Sequence, residues 1–533
     1  MKRTYATVLT SIVLVSTGCQ SFLDVNTNPN GPQSVSANLY LPPMLHWLVT
    51  SPQFDGRFVG HYTQQWYSSS TNFSPSSSWG KMGYDAGSDN GAQQWRDVYW
   101  SLGQNLIDMN TKAEAEQRWD ILGVGLILKA WGWLVLTDLH GEIIVKQAID
   151  QTRTQFDYDT QQYAYQEVER LLDSAIVLLQ RTDGAVDASY MAVGDKIYNG
   201  NRTKWLKFAS GLLAVALNHY SNRAEYDPAR VIRLVDSSFT SNADDALLAY
   251  PCNSTDFADC NFWGRTRNNV TLYRQTQFVV GLMNGTQFGG GVDPQAVDPR
   301  MSRMLAIDSA NTTYRGLDVN ATQNAPFGAL TAPQQPRNFF GYTGSGGLNL
   351  PSRYIFADRS KLPAMTYAEL QFVKAEAALR SGDAATARTA YINGISSHID
   401  FVNARNTDAG QTPTQITAAE KTAFLADTNI VPATVTLSHI MSQKFIALWG
   451  WGHNEIWMDM RRYHYTDNDP VSGVEVFRGF TAPTTLFADN LGQLVQRIRP
   501  RFNSEYVWNR ASLDAIGGLA TDYHTKKIWI TEP

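Results

Sequence analysis

The residues of this chain best suited to chemistry are aromatic rings set among small polar side chains. Between 64 and 94 stand Trp66, Tyr67, Asn72, Phe73, Trp79 and Tyr84, with serines and glycines around them. Between 241 and 300 stand Phe262, Trp263, Arg265 and Arg267, followed by Gly289, Gly290 and Gly291. Neither set follows a helical or strand period, so no pattern buries these rings on one face. Flat rings beside Asn, Asp and Arg suit sugars. The electron-rich ring face stacks on C–H groups, and planar polar groups meet the hydroxyls. The plainer role is to pin the loops to the body. For any single ring pinning is the more frequent role; of the whole set, at least two rings are expected to touch ligand.

Signatures of bond-making are missing from the sequence. There is no H-E-x-x-H, no G-x-S-x-G and no Walker loop. Ser78-Trp79-Gly80-Lys81 has S-x-x-K spacing without the S-D-N or K-T-G that would support it. The 9 histidines are scattered, and His140-Gly141-Glu142 is a loop pair, so no metal set or other cofactor is expected. Asp467-Asn468-Asp469-Pro470 lacks the glycine and distal Glu of an EF-hand loop; a calcium ion held by loop carbonyls stays open. A glycosidase needs two carboxylates about 5 to 9 Å apart across a sugar. Glu369 and Glu376 share one helix face and Asp459 stands beside Arg461 and Arg462, but all fall in expected packed helices. Their expected work is capping and ion pairing between helices, with Asp459, Arg461 and Arg462 locking the last hairpin.

The elements that carry these residues begin with a leader. Lys2 and Arg3 precede a short uncharged apolar stretch from Tyr5 to Thr17, which ends in Ser16-Thr17-Gly18-Cys19. A run this short cannot cross a hydrocarbon core of roughly 30 Å as a helix, so residues 1–18 read as a cleaved signal. The cysteine at the cleavage point makes it a lipoprotein signal, with Cys19 the lipidated first residue of the mature chain. Of the 3 cysteines, Cys252 and Cys260 remain, and in an oxidising compartment they are expected to close a small disulfide loop.

The chain has 533 residues, 43% hydrophobic and 17% charged, ample for a large core. Loss of Lys2 and Arg3 leaves 42 basic residues against 49 acidic ones, a mature net charge near −7. That balance, without clustered Lys or Arg, excludes nucleic acid as a natural partner. No later segment reads as a run of 18 or more uncharged apolar residues. Its 15 Trp exceed what packing alone usually calls for. Helical spacing recurs at Trp119, Leu122, Leu126, Ala130 and Trp133. It returns at Trp205, Phe208, Ala209, Leu212, Leu213, Ala216 and Tyr220, and again at Leu437, Ile440, Met441, Phe445 and Leu448. The clearest unit is 363–402, where Ala375, Ala377 and Leu379 lead to Gly382-Asp383 and Ala384, Ala387 and Tyr391 begin a second helix. Small residues on facing stripes make this a tetratricopeptide-like hairpin, with a glycine turn and an Asp N-cap. Further hairpins are expected near 117–180 and 202–240. Long loops are expected at 64–94, 241–300 and 306–362; loops of such length are usually functional.

Three blocks carry a family resemblance. The first is Phe22-Leu23-Asp24-Val25-Asn26-Thr27-Asn28-Pro29-Asn30, just behind Cys19. The second is Met365-Thr366-Tyr367-Ala368-Glu369 with Phe372 and Ala375-Glu376-Ala377. The third is Ala447-Leu448-Trp449-Gly450 with Glu455-Ile456-Trp457-Met458-Asp459-Met460-Arg461-Arg462. In this order behind a lipoprotein signal, they resemble the SusD/RagB family of outer-membrane nutrient-binding lipoproteins, in the branch with an Asn-Pro-Asn motif. The resemblance implies an all-α, tetratricopeptide-containing fold over 19–533 with loop insertions on one face. Residues 19–45 would form the tether and lead-in. It also implies a non-enzymatic surface protein, anchored at Cys19 in the outer membrane and facing outward. Such a protein captures oligo- or polysaccharide, or in some members peptide, for a SusC-like TonB-dependent transporter. Leu212-Leu213-Ala214-Val215-Ala216-Leu217 departs from the pattern, lacking arginines often found there, which puts a polar network at that helix in doubt. A surface glycan hydrolase and a protein-docking scaffold remain as alternatives.

Overall fold

The computed structural model describes residues 35–69, 77–85, 90–253, 257–288, 297–322, 325–341, 353–408, 414–500 and 502–533. Cys19, Asn72, Phe73, the leader, the Asn-Pro-Asn segment and Gly289 to Gly291 lie outside them. The helices of seven or more residues, in chain order, are α1 (Leu41–Tyr62), α2 (Gly103–Ala115), α3 (Trp119–His140), α4 (Gln161–Gln180), α5 (Ala188–Gly194), α6 (Arg202–Asn218), α7 (Pro228–Asp236), α8 (Gln277–Met283), α9 (Tyr367–Arg380), α10 (Ala384–Arg405), α11 (Ala418–Ala426), α12 (Leu437–Leu448) and α13 (His453–Arg462). Four short strands, β1 (Trp66–Ser68), β2 (Ala246–Leu248), β3 (Tyr273–Gln275) and β4 (Leu362–Met365), form two antiparallel pairs, β1 with β3 and β2 with β4.

Each hairpin stands where the apolar spacing and the caps put it. Thr366 and Glu369 make a capping box at the start of α9, Gly382 turns at φ 84°, and the Asp383 carboxylate accepts from the Thr386 N–H to start α10. Phe372 lies so close to Gly394 that a Cβ there would meet its ring at 2.8 Å; glycine sets that helix separation. Helix α3 packs on α4, α4 on α6, α6 on α7, α7 on α9, and α9 on α10 and α12, giving a continuous array of packed helices. Helix α13 returns against α1.

Helix α3 is apolar enough to cross a membrane by length and composition, but 83% of its apolar window is buried inside the protein. It is the core helix of the array. The long loops are not free of structure: 64–94 and 241–300 contribute β1 and β3, and 241–300 and 306–362 contribute β2 and β4. Short edge-to-edge pairs of this kind carry no period long enough to read from sequence. The Cys252–Cys260 disulfide is formed, across a separation of 8 residues.

A buried charge network joins the helices. Arg462 donates to Glu376 at 2.6 Å and to Asp459 at 2.5 Å. Lys444 bridges Glu455 at 2.7 Å and Asp459 at 2.8 Å. His219 Nε2 meets Glu455 at 2.8 Å, and Asn218 donates to Glu376 at 2.7 Å. The end of α6 therefore enters a polar network through Asn218 and His219, although Leu212 to Leu217 supply no charge. Arg461 corrects the expectation of an ion pair. It donates to the carbonyls of Asp138 and Gln496 and lies 3.9 Å from the Trp457 ring centre.

Candidate functional site

The loop rings expected to meet ligand are turned inward, which corrects the expectation for them. Trp66 is fully buried between Trp263, Tyr273, Phe339, Trp449 and His453. Trp263 donates its indole N–H to Gln53 Oε1 at 2.8 Å, and Phe262 packs on Phe54 at 4.3 Å. Tyr67 is fully buried on β1, its ring edge-on to His61. Trp79 sits against Phe58 and Tyr62. The Tyr84 hydroxyl donates to Asp489 at 2.5 Å and accepts from Arg499 at 2.7 Å. The physical reason is area: each such ring hides 150–250 Å² or so of mostly apolar surface, and a loop without a helical stripe packs through its largest side chains. Arg267 lies over the Phe262 ring at 5.2 Å, while Arg265 is exposed. The buried rings Trp66, Tyr67, Trp79, Tyr84, Phe262 and Trp263 fasten loops to the body.

The exposed tryptophans are elsewhere. Among the described residues, Trp100 and Trp508 are the tryptophans left mainly in solvent, 68% and 73% exposed. Each lies in a π-helix, Asp97–Leu102 and Ser504–Trp508. Such helices are rare and recur at functional sites. Together they wall a cleft of about 760 Å³, within the size range of roughly 300–1,000 Å³ usual for ligand sites. Tyr99, Trp100 and Trp95 line it on one side, Phe502, Asn503, Ser504 and Glu505 on the other, with Ile144, Ala148, Ile149 and Phe156 between.

Buried polar groups hold this geometry. Asp55 on α1 accepts from the backbone N–H groups of Gln93 and Gln94, at 3.0 and 2.9 Å, and so caps the helix Gln93–Arg96 from outside. Burial pushes the Asp55 carboxyl up to about 6, against the pull of those same bonds. Asp97 accepts from Ser51, Gln93 and Ser101 and fixes the first π-helix. The Tyr99 hydroxyl donates to the Ile144 carbonyl at 2.8 Å and accepts from the Ile144 N–H at 3.0 Å. Asn509 holds both backbone groups of Phe156 at 2.9 Å and donates to Glu505 at 3.0 Å, while Tyr158 donates to Glu505 at 2.6 Å. Trp95 stacks among Tyr99, His140 and Phe502 behind the cleft wall. His140 is neutral, its ring pushed down to about 3 by burial.

What this arrangement can do is stack and hydrogen-bond. Trp100 is braced by the Arg96 guanidinium 5.0 Å from its ring centre, a cation–π contact that leaves the outer face free. Asn503, Ser504 and the carbonyl of the Gln93 side chain supply acceptors and donors around it. Glu505 is the carboxylate lining the cleft, and it is already engaged by Tyr158 and Asn509. The acid pair that glycoside hydrolysis requires is not assembled among the described lining residues. A second concavity of about 470 Å³ lies among Gln64, Gln277, Asn284, Gln287, Tyr314 and Asp318, in the long loops; it presents no exposed tryptophan.

One signal in the sequence marked the cleft. Trp95, Val98, Tyr99, Leu102, Leu106 and Met109 form a helical stripe, and Trp100 stands off it, four residues after Arg96. A large ring on the polar face of a helix has no packing role to explain it.

The comparisons agree with the fold. The SusD-like_2 family model, described as starch-binding associating with outer membrane, matches residues 30–474, and the chain belongs to that family. Among solved structures, it is similar to a SusD/RagB family protein from Bacteroides thetaiotaomicron (21% identity, 93% of this chain and 99% of that chain, TM-score 0.65). It is similar also to a SusD homologue from Bacteroides fragilis (18%, 93% and 100%, 0.69). A chitin-binding SusD homologue from Flavobacterium johnsoniae is a third (18%, 93% and 98%, 0.65). At these identities the likeness is one of fold. None of the curated proteins compared matches this chain.

Proposed function

We propose that this protein is a non-catalytic glycan-binding lipoprotein of the cell surface, holding an oligosaccharide in the cleft between the two π-helices. Trp100 is the stacking platform, Arg96 braces it, and Gln93, Asn503 and Ser504 meet hydroxyls. The observation that carries the reading is the exposed Trp100 ring over a ring-lined cleft in a SusD-like chain. Lipidated Cys19 anchors the protein in the outer membrane, facing outward, and the bound glycan passes to a SusC-like TonB-dependent transporter. Support for a glycan comes from the family's description and from the neighbours named as chitin-binding.

The test is retardation of a soluble form, starting after Cys19, in native gels containing a panel of polysaccharides. At least one intact glycan should retard the protein, and Trp100→Ala should abolish the retardation. Shortened products would establish a hydrolase instead. Retardation unchanged by Trp100→Ala would move the site to the loops.

A further inference from the structure

The carboxylate that lines the cleft is only half used. Glu505 stands on the second π-helix, Ser504–Trp508, and is 4% exposed. Tyr158 donates to its Oε2 at 2.6 Å, and Asn509 donates to the same oxygen at 3.0 Å. Asn509 is itself pinned to both backbone groups of Phe156, so the carboxylate is held in one orientation. Oε1 accepts no hydrogen bond among the described residues, and Glu505 forms no ion pair among them. Oε1 is not enclosed by protein either. A fixed carboxylate whose second oxygen is open, on a residue lining the cleft, offers that oxygen to whatever the cleft holds.

Charge decides what can meet it. A buried carboxylate keeps little of its hydration, and a donor on Oε1 restores part of what burial removed. Water serves that purpose in an open cleft, and a ring hydroxyl of a bound sugar can take the water's place. A second carboxylate or a sulfate brings another acceptor and a like charge to the same oxygen. Arg96 is the other charged residue of the lining, but it is exposed and lies over the Trp100 ring, so solvent and salt screen it more than Glu505. An amino sugar would donate to Oε1 as well, but it brings its charge toward Arg96. We propose that Glu505 contacts ligand and sets the substrate class of the cleft: glycans of uncharged sugars, a hydroxyl donating to Oε1, with polyuronates and other acidic glycans rejected.

The inference rests on reading the cleft as a glycan site, and the experiment separates the two. Isothermal titration would compare cellohexaose, maltohexaose and mannohexaose with their C6-oxidised uronate counterparts, on the soluble chain and on two variants. A neutral hexaose that binds should do so at least about tenfold more tightly than its uronate, the scale of a hydrogen bond to a charged group. Glu505→Gln keeps an oxygen for Tyr158 and Asn509 but turns an uncharged N–H donor toward the cleft. It should weaken the neutral chain at least about fivefold and bring the two affinities within about twofold of each other. Trp100→Ala should weaken both members of a pair alike. A uronate that binds as well as its neutral partner or better, with Trp100 still required, overturns the assignment of Glu505 and spares the glycan reading. Equal losses for both chains in Glu505→Gln also overturn it, since a residue that only holds the wall cannot change their ratio. If no hexaose binds, the assignment falls, and failure across the polysaccharide panel takes the glycan reading with it.

Discussion

Trp100 and Glu369 show at the level of single residues how burial assigns roles. Trp100 spends its ring on solvent, so its removal should cost the fold almost nothing. Titration of Trp100→Ala should show affinity for the cleft's glycan reduced at least about tenfold, the scale of a hot-spot aromatic, with an unchanged melting temperature. Glu369 is the converse case, an acid kept inside. Burial, reinforced by the nearby Glu455 charge, pushes its carboxyl up to about 8 despite Lys444 and the Thr366 N–H. Its unfolded value is near 4.3. Between those values the folded chain binds the extra proton, so this contribution to stability is full below about pH 4 and is lost as pH rises through about 8. Glu369→Gln keeps the capping box and removes the titration. Urea midpoints taken between pH 5 and 8.5 should fall more steeply with pH in the parent than in the variant; parallel profiles would show that Glu369 stays ionised.

The elements divide into those that fasten and those that present. β1 pairs with β3 and brings Trp66 onto Trp263, and the Trp263 indole bonds to Gln53 of α1, so the loops of 64–94 and 241–300 lock onto the helical body. Trp263→Ala should therefore lower stability by about 3–5 kcal/mol, as for other large buried rings, while glycan affinity measured well below the melting transition stays as it was. The Cys252–Cys260 loop is a lesser fastener. Its short closure limits the entropy it removes from the unfolded chain to about 2.5 kcal/mol, so Cys252→Ala with Cys260→Ala should cost no more than that in a denaturant titration. The helices themselves were legible: the stripes from Trp119, Trp205 and Leu437 and the Gly382-Asp383 turn became α3, α6, α12 and the α9–α10 hairpin. Local period and local caps write helices directly into sequence. The strands were not legible, because pairs such as Trp66 with Gln275 lie far apart along the chain.

Across the whole molecule, the cleft depends on joining distant segments. Its walls come from 90–100, 144–156 and 502–505, and Asn509 stitches Phe156 to Glu505 with three hydrogen bonds. The wall at 502–505 lies beyond the span 30–474 that the family model matches. Residues 497 and 498 tie that segment to the end of α3, through Ile498 N–H to the Leu139 carbonyl and Arg497 to Glu142. Asn509→Ala leaves buried groups unpaired, a loss of about 1–3 kcal/mol. It should also weaken glycan binding through the displaced Phe156 wall, even though Asn509 does not line the cleft. A drop in melting temperature with unchanged affinity would show that the wall holds without it.

The sequence by itself determined the helical array, the capped hairpin at 363–402, the Cys252–Cys260 pairing and the family, because each is written in neighbouring residues or in short blocks. It also determined that rings and planar polar groups would matter, without saying which. Only the tertiary structure decided that Trp66, Tyr67, Trp79, Phe262 and Trp263 are spent on packing and that Trp100 is left to solvent. Loop composition is the same for a ring that pins and a ring that binds. Which role it takes is set by the surface it meets, and that surface comes from segments hundreds of residues away.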